Sequence, residues 1–295
     1  MIKSKVRSIT VVGSLLLLAM MALWFTSTQP PQDLANYSIE KNFKWRYKLV
    51  NMRNTTLSNI SFQVFAPHPI TANQALKHIV ADKTHSTIKD SLGNSVLSFN
   101  IPEMAPHQTL FIDLKAVLAF SAAPQVIGNN QHRQFLNASK LIESQHPRII
   151  AAAHQLQRDS ISATVKANFD WVRSHLEYAG YTKEDRGALY AMEQKKGDCT
   201  EYAYLLTALL RASAIPARVI GGYVYPDSSV VRARDYHNWV EVFFDDRWHI
   251  VDPQKGRFLE DAQEYLAFRV IDDFASDLAN SHQVIISDDN VKVSL

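Results

Sequence analysis

Lys195-Lys196-Gly197-Asp198-Cys199-Thr200-Glu201-Tyr202-Ala203 contains the one cysteine of a 295-residue chain. The stretch reads as a helix start. Gly197-Asp198 offers a tight turn and an N-cap, and from Cys199 to about Ser213 the residues Tyr202, Leu205, Leu206, Leu209 and Leu210 recur at helical spacing and face inward. Pro216 stops the helix. A lone cysteine cannot close an internal disulfide, which leaves a buried inert thiol, an intermolecular link or a nucleophile. A helix N-terminus favours a thiolate by only about 0.3–1 kcal/mol, whereas one pKa unit corresponds to about 1.36 kcal/mol. An imidazolium must supply the rest, against Asp198 and Glu201 if these face the sulfur.

Downstream the chain offers Asp235-Tyr236-His237-Asn238-Trp239 and Trp248-His249-Ile250-Val251-Asp252-Pro253. Strands are expected over 217–225, 237–244 and 247–251, with Phe244-Asp245-Asp246-Arg247 as a hairpin turn. Pairing Phe244 with Arg247 puts Trp239 opposite Asp252. His237 shares a face with Trp239, so Asp252 becomes its same-face diagonal neighbour, about 7–8 Å away at Cα. A slip of one residue would separate the pair. This register makes Cys199 a candidate nucleophile, His237 its base and Asp252 the acid that orients the imidazole. The Cys199 backbone N–H is one oxyanion donor, and a second is not identified. His249 falls on the other face. Glu201 reads as solvated or as a support behind the thiol.

Upstream, Phe43, Trp45, Tyr47 and Leu49 alternate with polar residues, as do Ile60-Ser61-Phe62-Gln63-Val64 and Val96-Leu97-Ser98-Phe99. With Phe111-Ile112-Asp113-Leu114 they predict a small β-sandwich over residues 36–120. A linker at 121–130 leads to a second domain over 131–295. Its expected helices run from Leu141 to about Gln157 and from Ser160 through an apolar stripe of Phe169, Val172 and Leu176, with Trp171 in the core. A short helix near 259–266 and strands around Val284-Ile285-Ile286 and Val291 complete it. Strands and helices in separate runs indicate an α+β fold.

Residues 1–30 carry an address: Lys3, Lys5 and Arg7 precede an apolar run from Ile9 to Phe25, then Pro30-Pro31. An uncleaved signal anchor is preferred to a removed signal peptide, and either places the body outside the cytoplasm, in the periplasm if the source is Gram-negative. The net charge of +2, with Lys and Arg scattered, gives no nucleic-acid footprint. The sequence has no phosphate-binding glycine motif and no metal-ligand spacing, so no cofactor is expected.

Four blocks in order resemble the transglutaminase-like superfamily: 196–203, 209–223, 237–242 and 248–253, within a stretch of roughly 135–256. The resemblance implies a papain-like core in which Cys199, His237 and Asp252 are the triad. It also implies an immunoglobulin-like module in front, catalysis through a thioester made from an amide, and a protein or peptide substrate resolved by water or an amine. Ala214 departs from the pattern, standing where the family usually has Gly at the end of the helix. The expected function is thiol-dependent hydrolysis or acyl transfer at amide bonds in the cell envelope, by a peptidase, amidase or acyltransferase. The competing reading is an envelope scaffold or binding protein with an idle core.

Overall fold

The computed structural model describes residues 34–128, 130–182, 184–272 and 284–295. The address read in residues 1–30 lies outside them. Among the described residues no helix is long and apolar enough to cross a membrane.

The chain enters through six strands: β1 (Ile39–Asn51), β2 (Leu57–Phe65), β3 (Gln74–Ala81), β4 (Ser86–Lys89), β5 (Ser95–Met104) and β6 (Thr109–Phe120). Period two in the sequence becomes period two in burial. Along β1, Phe43, Trp45, Tyr47 and Leu49 are buried and the residues between them exposed. Their ring faces meet the second sheet, with Tyr47 edge-on to Phe62 at 5.3 Å between centroids.

Four helices follow: α1 (Pro147–Leu156), α2 (Ile161–His175), α3 (Gly187–Gln194) and α4 (Cys199–Ala212), with the two-residue strands β7 (Glu177–Tyr178) and β8 (Lys196–Gly197) paired between them. The helix expected from Leu141 starts only at Pro147, which sits in the first turn where its missing N–H costs nothing. Ser160 caps α2 as its sequence implies. Trp171 is only partly buried and stacks on His175, 4.1 Å between ring centroids. Helix α3 carries no side-chain cap and went unanticipated.

Then come β9 (Ala217–Val224), β10 (Ser229–Val230), β11 (Tyr236–Phe244), β12 (Arg247–Asp252), β13 (Arg257–Phe258), β14 (Tyr265–Ile271), β15 (Val284–Ile286) and β16 (Val291–Ser294). The helix expected near 259–266 is instead a single 3-10 turn, Ala262–Glu264, followed directly by β14. The order β13-β12-β11-β9-β14 forms the sheet against which the helices lie.

The first two sheets have the orders β10-β1-β6-β3, with β16 also on β1, and β15-β2-β5-β4. The last two strands of the expected catalytic span, 131–295, therefore pair with β1 and β2 of the N-terminal half. The cores are continuous too. Phe43 contacts Tyr225 and Trp45 contacts Phe268, at 6.1 and 5.7 Å between centroids. The class is thus α+β and rich in antiparallel sheet.

Helix α4 sits in the middle of the helix-bearing half. Every residue from Thr200 to Arg211 is buried, so the single inward face expected from the sequence is a helix enclosed on all sides. Helices α1, α2 and α3 pack around it, and β9 and β11 lie against it.

Candidate active site

The start of α4 is fixed by two carboxylates. Asp198 accepts from the Thr200 N–H at 2.8 Å, and Glu201 accepts from the Asp198 N–H at 3.0 Å, a reciprocal capping box. Glu201 is fully buried, not solvated. It also takes the Arg186 backbone N–H at 3.0 Å and the Arg186 guanidinium at 3.1 Å. A Cβ at position 197 would overlap the Glu201 side chain, which is why glycine precedes Asp198. The second oxygen of Asp198 accepts from the Thr182 N–H at 3.0 Å. Cys199 is thereby held as the first residue of the helix, with a backbone N–H that has no acceptor inside it.

The hairpin has the register that brings His237 to Asp252. Phe244 pairs with Arg247 and Val240 with Val251, and Asp245 and Asp246 both adopt the left-handed conformation of a two-residue turn. Extending the ladder sets Trp239 opposite Asp252. His237 Nε2 lies 2.7 Å from Asp252 Oδ2, with the two residues 5% and 0% exposed. With Nε2 committed to the carboxylate, Nδ1 is the ring nitrogen left to serve a thiol. Trp239 stacks on His237 at 6.4 Å. His249 points away, with its Nε2 3.2 Å from the Phe244 carbonyl.

One side-chain bond docks the strand of the base onto the helix of the thiol: Asn238 Nδ2 donates to Thr200 Oγ1 at 2.8 Å. Each partner is the immediate neighbour of a candidate residue, His237 or Cys199. On the opposite strand, a Cβ at Gly221 would collide with the Tyr236 hydroxyl. Tyr236, Asn238 and Cys199 all line a cleft of about 1150 Å³, together with Tyr178 and Tyr181. His237 and Asp252 are both buried.

Burial, and next the charge of Asp198, pushes the Cys199 thiol up to about 12. The Asn238 backbone N–H and the Thr200 hydroxyl oppose this, and Asp252 adds to it. The helix start by itself therefore does not stabilise a thiolate at Cys199, in keeping with the small contribution expected of it. The thiol rests protonated, because desolvation outweighs the helix end.

Sequence reading missed Tyr265. Its hydroxyl donates to the same Asp252 oxygen at 2.9 Å, while Asp252 Oδ1 accepts from the Lys255 N–H at 3.0 Å. No periodicity or motif flags a tyrosine in an edge strand; only the fold reveals its partner. Among the described residues, no group of three or more His, Cys, Asp or Glu could hold a metal ion.

The model of the transglutaminase-like superfamily matches residues 150–253, a span that contains Cys199, His237 and Asp252. In residues 150–253 the chain is similar to a transglutaminase-like core. That superfamily includes both cysteine peptidases and transglutaminases. An uncharacterized Mycobacterium leprae protein, ML0607, is 28% identical over 130 residues, 42% of this chain and 44% of that protein. The human kyphoscoliosis peptidase is 28% identical over 106 residues, 33% of this chain and 16% of the peptidase. The matched stretch thus spans less than half the length of either curated relative. A crystal structure of a candidate cysteine protease from Cytophaga hutchinsonii superimposes with a TM-score of 0.61 at 19% identity, covering 88% of this chain and 89% of that one. The likeness therefore extends in fold from the transglutaminase-like core into the two-sheet half.

Proposed function

We propose that the protein is a cysteine acyltransferase or peptidase acting at amide bonds of proteins or peptides, with Cys199 as nucleophile, His237 as base and Asp252 as orienting acid. The observation that carries this is the 2.7 Å contact between His237 and Asp252 on a strand tied to the first turn of α4 through Asn238 and Thr200.

The chemistry follows from a resting neutral thiol. As Cys199 Sγ attacks the amide carbonyl carbon, its proton passes to His237 Nδ1, and the charge that develops on the imidazolium is met by Asp252. The carbonyl oxygen takes the electron pair and is stabilised by the Cys199 backbone N–H. Collapse breaks the C–N bond, and His237 returns the proton to the departing amine. A thioester remains. Water, deprotonated by His237, then releases the acid, or an amine takes its place and forms a new amide.

The cleft supports a polypeptide substrate: about 1150 Å³ exceeds the roughly 300–1,000 Å³ of small-molecule pockets. The two-sheet half, which we read as an immunoglobulin-like accessory module, contributes Tyr47, Val284, Val293 and Leu295 to its lining. An envelope location rests on the basic and apolar pattern of residues 1–30.

The test is intact-mass spectrometry after exposure to peptides of envelope proteins. The expected result is a mass gain on the wild-type chain, absent from Cys199→Ala, equal to the acyl group donated. Equal complementation of a deletion phenotype by wild type and Cys199→Ala would establish the scaffold reading instead.

A further inference from the structure

The candidate pair His237–Asp252 is extended by a third group. Asp252 Oδ2 accepts from the Tyr265 hydroxyl at 2.9 Å and lies 2.7 Å from His237 Nε2, so imidazole and phenol share one carboxylate oxygen. Tyr265 is 1% exposed, and its ring is set edge-on to Trp239 at 5.0 Å. Trp239 in turn stacks on His237. Arg257 lies over the Tyr265 ring at 6.0 Å and is itself held by Glu264 at 2.6 Å. Tyr204 and Tyr225 also donate to carboxylates, Asp185 at 3.2 Å and Asp235 at 2.9 Å, but the oxygen that Tyr265 takes is the one already bonded to His237, and that sharing calls for a reason.

We propose that Tyr265 is a positioning residue that sets the basicity of the Asp252 carboxylate and, through it, the proton affinity of His237. A donor on Oδ2 withdraws charge from that oxygen and weakens its hold on an imidazolium. Sharing the oxygen weakens its pull on an imidazolium and so favours the free base that the reaction needs, which matters because the buried Cys199 thiol gives up its proton reluctantly. A carboxylate without the phenol would hold the imidazolium more tightly and leave less free base at neutral pH. The Lys255 N–H on Oδ1 stays in place whatever occupies position 265, so the carboxylate keeps its orientation while its charge changes. Charged and titratable groups that act on the pair or on Tyr265 are Cys199 from α4, Tyr265 from β14 and Arg257 from β13, which pairs with Asp252.

The inference rests on the catalytic reading for its meaning but not for its measurement. Histidine titration is followed by NMR in the full chain carrying labelled histidine, with the His237 signal assigned by its loss in His237→Gln. Tyr265→Phe keeps the ring that packs on Trp239 and removes only the hydroxyl. Its His237 midpoint should rise by about 0.5–1 pH unit, and the acidic limb of kcat/KM should move with it. In an Asp252→Asn background the same substitution should move nothing, which guards against a general effect on folding. A midpoint that stays or falls in Tyr265→Phe overturns the proposal, even if kcat drops. If no acyl-enzyme forms on Cys199 but the midpoint still rises, the catalytic reading fails and the coupling of Tyr265 to His237 stands.

Discussion

In the two-sheet half the buried side chains are mostly apolar, and Tyr47, Phe62 and Phe99 meet edge-on or tilted, between facing strands. In the helix-bearing half, charged groups are buried alongside the apolar ones. Arg211 reaches Asp272 at 2.8 Å and the carbonyls of Ala217 and Asn137, with 0% and 2% of the two charged side chains exposed. Arg218 meets Glu241 at 2.6 Å and lies over the Trp248 ring at 4.2 Å. Arg186 meets Glu201, and His237 meets Asp252. Apolar contacts are non-directional and tolerate repacking, whereas a buried charge is satisfied in one geometry only. The half that carries the candidate chemistry is therefore the one whose side chains are held by direction.

The largest effect expected from this contrast is chemical. Cys199→Ala should lower kcat/KM for any amide substrate by at least ~10³-fold, while the urea midpoint stays near that of wild type. A variant that loses activity and stability together would mean Cys199 acts as core and not as nucleophile. Next is the ion pair. Arg218→Met should cost about 3–5 kcal/mol, because buried Glu241 loses the guanidinium that meets it at 2.6 Å. Phe62→Leu in the sheet core should cost under about 1.5 kcal/mol. Denaturant melts that reversed this order would break the contrast between directional and apolar cohesion.

The seam between the halves gives a pH-dependent test. His68 is buried: its backbone N–H donates to the Ala267 carbonyl at 2.8 Å, its Nδ1 faces the Ile70 N–H at 3.4 Å, and among the described residues Nε2 has no hydrogen-bond partner. Burial, and next the Arg218 charge, lowers its pKa to about 4. The unfolded chain takes up this proton near pH 6.5 and the folded chain only near 4. Its contribution is whole above about pH 6.5 and shrinks as pH falls, by about 3 kcal/mol in all. Urea unfolding from pH 7 to 4 should show the loss, and His68→Gln should flatten it. The smallest effect is at the end of α4, where Ala214 is exposed and has φ +58°. Ala214→Gly should raise stability by about 0.5–1 kcal/mol, since the left-handed strain of Ala exceeds the added chain entropy of Gly. An unchanged or lower melting temperature would contradict that account of the departure from the family pattern.

Much of the site was legible because it depends on short-range rules. A glycine and an aspartate before Cys199 announced the helix start, and Asp245-Asp246 between two apolar strands fixed the register that brings His237 to Asp252. Ala214, where the family resemblance implies Gly, does have the left-handed backbone that favours Gly. What could not be read depends on burial or on distant pairing. The burial of Cys199, which outweighs the small help of its helix end, follows from packing that no local pattern states. Tyr265 meets Asp252 only because β14 lies along β9, and the same segment mimicked helical spacing. Glu201 reads from sequence as either solvated or a support behind the thiol, and only the fold, which buries it against Arg186 and the turn before α4, decides for the second.

β15 and β16 return to the sheets where the chain began, so the helix-bearing half is inserted between two parts of one β-structure. A protease that nicked the chain just after β6 would not release the helix-bearing half as a free fragment, because the strand ladders would still clasp both pieces. Excision or transplantation of the core by cutting at consecutive positions would strip β1 and β2 of neighbours and expose the Tyr225 and Phe268 faces. The two halves should therefore melt in a single transition.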